Sequence, residues 1–192
     1  MNKKDNVPLV RFKGFAESWE QYKLNDLGGI VTGSTPSTYI HEYYSSKGIP
    51  WVTPTDIYDH ITYETPRKLS KKGQLAGRVV PKDTILVTCI ASIGKNTILG
   101  SSGSFNQQIN GIITNLDKFD PYFLYTQSKF WSDKMLSNAG GLTFQIVNKT
   151  EFSKISTLIP NNLTEQRVIG KTFKTLDILI TLHQREWEKE IK

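Results

Sequence analysis

Three consecutive carboxamides, Asn106-Gln107-Gln108, are the residues of this chain best suited to recognition chemistry. Each amide carries a donor beside an acceptor, the pair needed to read an adenine edge in a major groove. The same groups can equally satisfy backbone in a loop. Thr143 and Gln145, polar alternates of a strand expected over 142–150, are further candidates for base edges. A second set could neutralise phosphates. Arg67, Lys68, Lys71, Lys72, Arg78 and Lys82 fall between Pro66 and Lys82 with no acidic residue among them. Such a run allows several phosphate contacts; a solvated basic loop is the plainer alternative. Ser34 and Thr35, in the small polar stretch Thr32-Gly-Ser-Thr-Pro-Ser-Thr38, could add hydroxyls and backbone N–H groups, or simply make a turn. Lys95 completes the candidate backbone-contacting set.

Catalytic patterns are poor by comparison. Gly94-Lys95 is like a phosphate-binding loop, but Asn96 stands where Ser or Thr is needed, and Cys89 where the leading glycine belongs. His41, His60 and His183 are far apart and have no cysteine partners at ligand spacing. Glu190-Ile-Lys192 has the Glu-x-Lys form of some nucleases, yet it ends a heptad stretch and follows no acidic strand. No glycine-rich cofactor loop and no nucleophile–base pair stands out. The chain reads as non-catalytic, with no cofactor or metal of its own.

The element that organises the chain is its C-terminal stretch. Pro160 closes the apolar run 155–159, and Thr164 sits where a helix cap belongs, followed by Glu165 in the first turn. From there to Lys192 there is no proline and one glycine, Gly170. Phe173, Ile180 and Trp187 occupy one heptad position; Ile169, Leu176 and His183 occupy the other. Such a helix would be roughly 40 Å long. The stripe could pack on the body of its own chain or pair with another helix. Leu179 and Leu182 widen it, as contacts with more than one neighbour would require.

The other 160 residues suit one compact domain. Strands are expected at 49–53, 84–90, 96–99, 111–114, 142–150 and 155–159. A helix should start at Asp120-Pro121 and run to Ser137, with Phe123, Leu124, Phe130, Trp131 and Met135 in the core. Residues 1–8 read as a loose tail, and the aromatics of 9–19 as a lead-in packed on the body. The fold class is therefore α+β, a mixed globular domain over 1–160 followed by a long coiled-coil-type helix over 161–192. The formal net charge is +6 and the pI about 9.3, which favours a polyanionic partner. The single cysteine, Cys89, lies in an apolar run and reads as a buried thiol. No signal core or membrane-length apolar run is present, so a cytoplasmic protein is expected.

The order of these pieces resembles one family. Pro8-Leu-Val-Arg-Phe-Lys-Gly-Phe with Trp19-Glu-Gln-Tyr-Lys-Leu, then Thr32-Gly-Ser-Thr-Pro and Ile49-Pro-Trp-Val-Thr-Pro-Thr-Asp-Ile57, is similar to the opening of specificity subunits of type I restriction-modification enzymes. Ala91-Ser-Ile-Gly, Phe105-Asn-Gln-Gln, and Ile159-Pro followed by Glu165-Gln and Leu176-Asp177 resemble the family's later landmarks. The resemblance implies a target recognition domain that reads a short half-site of double-stranded DNA. It implies a spacer helix that docks a methylation subunit, and a motor nuclease subunit that joins for cleavage. S-adenosylmethionine would belong to the methylation subunit. The family usually carries two recognition domains and two helices; this chain has one of each. Two copies pairing their helices antiparallel through Ile169, Phe173, Leu176, Ile180, His183 and Trp187 would rebuild the pair and read a gapped palindrome. A non-reading scaffold that competes for the methylation subunit is the alternative, and a self-sufficient enzyme a third.

Overall fold

The structure is a computed structural model that describes residues 7–138 and 146–190. After the lead-in come β1 (Glu20–Lys23), β2 (Gly28–Thr32) and β3 (Tyr44–Val52). The short strands β4 (Ile61–Thr62) and β5 (Lys68–Leu69) follow, then helix α1 (Lys71–Ala76) and β6 (Val79–Val80). The central strands are β7 (Ile85–Thr88), β8 (Asn96–Leu99), β9 (Gly103–Phe105) and β10 (Ile109–Thr114). Helix α2 (Pro121–Asn138), helix α3 (Lys149–Ser153), β11 (Ser156–Ile159) and helix α4 (Leu163–Glu190) complete the chain. The expected α+β class and long final helix are both present.

Among the described residues, three sheets carry the body. Their orders are β2-β10-β7-β8-β4, β5-β3-β9-β6 and β1-β11. Most pairings are antiparallel; β3–β9 and β4–β8 are parallel. Strand β7 explains why its sequence is apolar without alternation. Ile85 and Val87 enter one core with Phe123 and Trp131, while Leu86 points into a second core with Phe105 and Val52. Successive side chains of a strand face opposite ways, so burial on both faces requires a continuous apolar run.

Helix α2 begins as its sequence dictates. The carboxylate of Asp120 accepts the Phe123 N–H at 2.8 Å, and Pro121 takes the first helical position. Phe123, Leu124, Trp131 and Met135 are buried as expected, but Phe130 is 60 % exposed. It lines an open groove between the lead-in, α2, β11 and α4. The expected strand over 142–150 is also corrected at its end. Lys149 begins α3, capped by Asn148, whose side chain accepts the Glu151 N–H at 3.0 Å while Glu151 reaches back to the Asn148 N–H. Within the described part of that stretch only Ile146 pairs, with Ile90.

The long helix is tied down at its start. Asn162, rather than Thr164, is the cap: its Oδ1 accepts the N–H groups of Thr164 and Glu165 at 2.9 and 3.3 Å. Asparagine is the stronger cap and stands one residue before the helix. Glu165 is 1 % exposed. Arg11 of the lead-in grips both its oxygens at 2.7 Å, and Trp19 Nε1 donates to one of them at 3.3 Å. Gln166 donates to the carbonyls of Lys118 and Pro160 and accepts the Asp120 N–H. Gly170 lets α4 cross the start of α2 at close range. A Cβ there would lie 2.4 Å from Asp120 Oδ1. The first turns of α4 thus belong physically to the body.

Candidate nucleic-acid interface

The residues of the amide cluster and of the small polar loop, far apart in sequence, meet in space. The Gly33 N–H donates to the Ile109 carbonyl at 3.1 Å and the Ser34 N–H to that of Phe105 at 2.8 Å. This close approach needs glycine, because a Cβ on Gly33 would fall 2.2 Å from the Asn106 oxygen. Thr35 Oγ1 then donates to Gln107 Oε1 at 2.5 Å. Gln107 is exposed, and with its oxygen anchored its Nε2 remains a donor presented to solvent.

The three amides have different fates. Asn106 is buried at 8 % exposure. Its Oδ1 accepts the Gln108 N–H at 3.1 Å and its Nδ2 donates to Gln108 Oε1 at 2.8 Å. Asn106 therefore braces Gln108 from beneath, and Gln107 and Gln108 are the two that reach the surface. Thr143 and Gln145 lie outside the described residues.

Ser34 is spent on the loop itself. Its Oγ accepts the Arg78 N–H at 2.8 Å and its carbonyl accepts Trp51 Nε1 at 3.1 Å. Trp51 is 4 % exposed and packs edge-on against Tyr44, whose hydroxyl donates to the Pro36 carbonyl at 2.6 Å. The apolar Ile49-Pro-Trp-Val run thus forms a rigid floor under the loop and fixes Arg78 beside it.

The basic stretch is not one solvated loop. It passes through β5, a Ser70 cap that accepts the Gly73 N–H at 3.1 Å, α1 and β6. A Cβ on Gly73 would lie 2.0 Å from the Tyr43 oxygen, so α1 sits tight against the segment 41–43. Two of its cations have carboxylate partners from outside the stretch: Lys68 with Glu64 and Lys72 with Glu42. The Lys72 ammonium holds the Glu42 carboxyl below its ordinary pKa, and Glu42 raises that of Lys72 in return. The Lys72–Glu42 pair is fully exposed, and water screening leaves such a pair weak enough for a phosphate to displace. Arg67, Lys71 and Arg78 are exposed. Lys95 stands in the β7–β8 turn and donates to the Pro54 carbonyl at 3.2 Å. Ser34, Thr35, Gln107 and Arg78 are therefore brought together, while Lys95 is held against a different loop.

A polar clasp fastens the long helix beyond its buried start. Tyr122 of α2 donates to Asp177 Oδ2 at 2.7 Å, and His60 Nε2 lies 3.7 Å from Asp177 Oδ1. His60 Nδ1 meets the Tyr125 hydroxyl at 2.9 Å. Burial, then the Asp177 carboxylate, pushes the Tyr122 phenol far up, and burial holds Tyr125 at about 12. Sequence reasoning marked Asp177 only as a landmark and missed its partners Tyr122 and His60, which are 55 and 117 residues away in the chain. On the seam, Ile169 packs on the core. Phe173, Leu176, Ile180 and Trp187 are 47, 47, 53 and 58 % exposed, and His183 is exposed beside Trp187. No cluster of His, Cys, Asp and Glu among the described residues could hold a metal. No described helix is long and apolar enough to cross a membrane.

Residues 16–192 match the family model described as the type I restriction modification DNA specificity domain. The chain is 30 % identical over 178 residues to the type I restriction enzyme MjaIX specificity subunit of Methanocaldococcus jannaschii, covering 90 % of this chain and 41 % of that one. It is 30 % identical over 171 residues to the HindI specificity subunit of Haemophilus influenzae, covering 82 % and 36 %. It therefore spans about two fifths of the length of these relatives. Its fold superimposes on a chain of a solved type I R-M system with a TM-score of 0.68 at 16 % identity, covering 98 % of this chain and 47 % of that one. The HsdS subunit of Thermoanaerobacter tengcongensis gives 0.64 at 15 %, covering 96 % and 43 %.

Proposed function

We propose that this chain, which belongs to the type I restriction modification DNA specificity family, reads a half-site of duplex DNA on behalf of partner subunits. The observation that carries the reading is the joined surface of Thr35, Gln107 and Arg78. It sets an anchored amide beside the backbone of Arg78, which Ser34 holds by its N–H, with the Trp51 floor beneath. An amide held by one end presents its donor at a fixed place, which is what base readout needs. Arg67, Lys68, Lys71, Lys72, Arg78 and Lys95 would contact the backbone, with Ser34 positioning the loop. The chain would carry no catalytic residue. S-adenosylmethionine would be bound by the type I methylation subunit, and a motor nuclease subunit would join for cleavage in the cytoplasm.

The long helix is the docking and spacing element of this reading. Its exposed seam from Phe173 to Trp187 would pair with that of a second copy. The homodimer would then recognise a gapped palindrome, its gap set by helix length. The experiment is a methylation map of DNA from cells carrying this chain with its cognate methylation subunit. Methylated adenine in both halves of a gapped palindrome is the expected result. An unmethylated genome despite a confirmed complex would refute base reading and favour the non-reading scaffold.

A further inference from the structure

The loop that joins β2 to β3 carries an aromatic tip. The Ile40 N–H donates to the Ser37 carbonyl at 3.2 Å, which closes a β-turn with Thr38 and Tyr39 at its centre. Tyr39 is 93 % exposed, and Ile40 behind it is 42 % exposed. The turn is clamped on both sides. Before it, Thr35 holds Gln107, and the carbonyl of the buried Pro36 accepts the Tyr44 hydroxyl. After it, the Tyr43 N–H donates to the Ile40 carbonyl at 3.0 Å. Ser70 then donates from Oγ to the Glu42 carbonyl at 2.5 Å and from its N–H to that of Tyr43 at 2.9 Å.

These clamps set the tip between two groups suited to DNA. On one side is the anchored amide of Gln107; on the other is the start of α1, where Lys71 and Lys72 are exposed. Glu42 is the one carboxylate of residues 34–43, and Lys72 pairs with it. Tyr39 follows Thr35 by four residues, so their backbones are at most about 14 Å apart. Base pairs rise about 3.4 Å each, so that reach spans roughly four of them. A tyrosine offers a large contact face at the entropic cost of two side-chain angles. Every base has a π-face, so a ring can bind one without any hydrogen bond. In a duplex that face opens only when a step is unstacked. Side chains that wedge into a step do this most readily where the step is deformable.

We propose that Tyr39 is a wedge that stacks into a base step within about four pairs of the one Gln107 contacts, with Lys71 and Lys72 on the flanking phosphates. The proposal rests on the DNA-reading surface above and adds a readout that no hydrogen-bonding side chain supplies. Such a wedge selects a flexible pyrimidine–purine step through its ease of opening. The half-site then holds one position chosen by deformability beside those chosen by base edges.

The test is equilibrium binding of the full chain, in complex with its methylation subunit, to duplexes carrying the half-site that the methylation map identifies. Each step within that reach of the Gln107-dependent pair is varied in turn. Wild type should favour a pyrimidine–purine step at one of these places. Tyr39→Ala should lose that preference and weaken binding about 5- to 150-fold. Its Tm should not move, because Tyr39 is exposed, nor should its salt slope, because a neutral ring releases no counterion. Tyr39→Phe should keep both affinity and preference. Gln107→Ala should keep the step preference and lose a base preference elsewhere. Tyr58→Ala, an exposed tyrosine beside Asp59, is the control and should change neither. Wild-type affinity and preference in Tyr39→Ala overturns the wedge and leaves reading by Gln107 standing. Loss of binding in Tyr39→Phe overturns stacking in favour of a bond from the hydroxyl. If Tyr39→Ala loses the methylation subunit but binds DNA as before, the ring belongs to a protein contact and the proposal falls. A wild-type complex with no sequence preference overturns the DNA reading and the wedge together.

Discussion

Replacing Gly170 by alanine should destabilise this protein, although the same change in an ordinary helix interior stabilises it. Helix propensity alone favours alanine by about 0.8–1 kcal/mol. Here the new Cβ would lie 2.4 Å from Asp120 Oδ1 and 2.9 Å from the backbone nitrogen of Phe123. The carboxylate could swing away, but it would then give up the Phe123 N–H it caps at 2.8 Å, a loss of about 1 kcal/mol. The backbone nitrogen can retreat only if α2 shifts from α4, and overpacking of this kind costs about 1–3 kcal/mol. The cap and the clash outweigh the propensity, leaving a net loss of about 1–3 kcal/mol. In a chain of this size that lowers Tm by roughly 2–4 °C per kcal/mol. Urea melts of Gly170→Ala and of Thr175→Ala, an exposed position of the same helix, would measure it. A Gly170→Ala variant as stable as wild type would refute the close-crossing argument, since propensity would then have won.

The other expectations follow from the same contacts. Glu165→Gln should cost about 3 kcal/mol, because it strands the Arg11 guanidinium, whose side chain is 10 % exposed, while Arg11→Met with Glu165→Leu should recover most of it. Denaturant melts of the singles and the double give the coupling. In DNA-binding titrations, Arg67→Ala, Lys71→Ala and Arg78→Ala should each flatten the salt slope by about one unit without changing sequence preference. Gln107→Ala should relax preference at one base pair by about 1–3 kcal/mol, whereas Asn106→Ala should lower stability and disturb Gln108. Burial holds the Cys89 thiol at about 11. Its folded pKa lies above the unfolded one near 8.5, so the neutral thiol's contribution is complete below that pH and is lost as pH climbs towards 11. Melts between pH 8 and 11 should show a decline that Cys89→Ala reduces.

The long helix, its seam, the Asp120-Pro121 start of α2 and the buried run of β7 were legible in the residues themselves. Each is set by local periodicity or capping, which the chain carries wherever it sits. The capping box at Asn148 and Glu151 is equally local, and it outweighs the polar alternation that predicts a strand up to Thr150. What the residues could not declare was partnership across the chain. Glu165 is a first-turn acid in sequence and the anchor of Arg11 and Trp19 in space, 154 and 146 residues away. Gln107 and Asn106 are chemically near-equivalent neighbours, yet the Gly33 approach buries one and props the other outward against Thr35. Phe130 fits a core pattern as well as Trp131 does, and only the packing of α4 and the lead-in leaves it facing a groove. Side-chain type fixes what a residue can do, while burial and partners come from distant segments whose meeting is decided by the whole core at once.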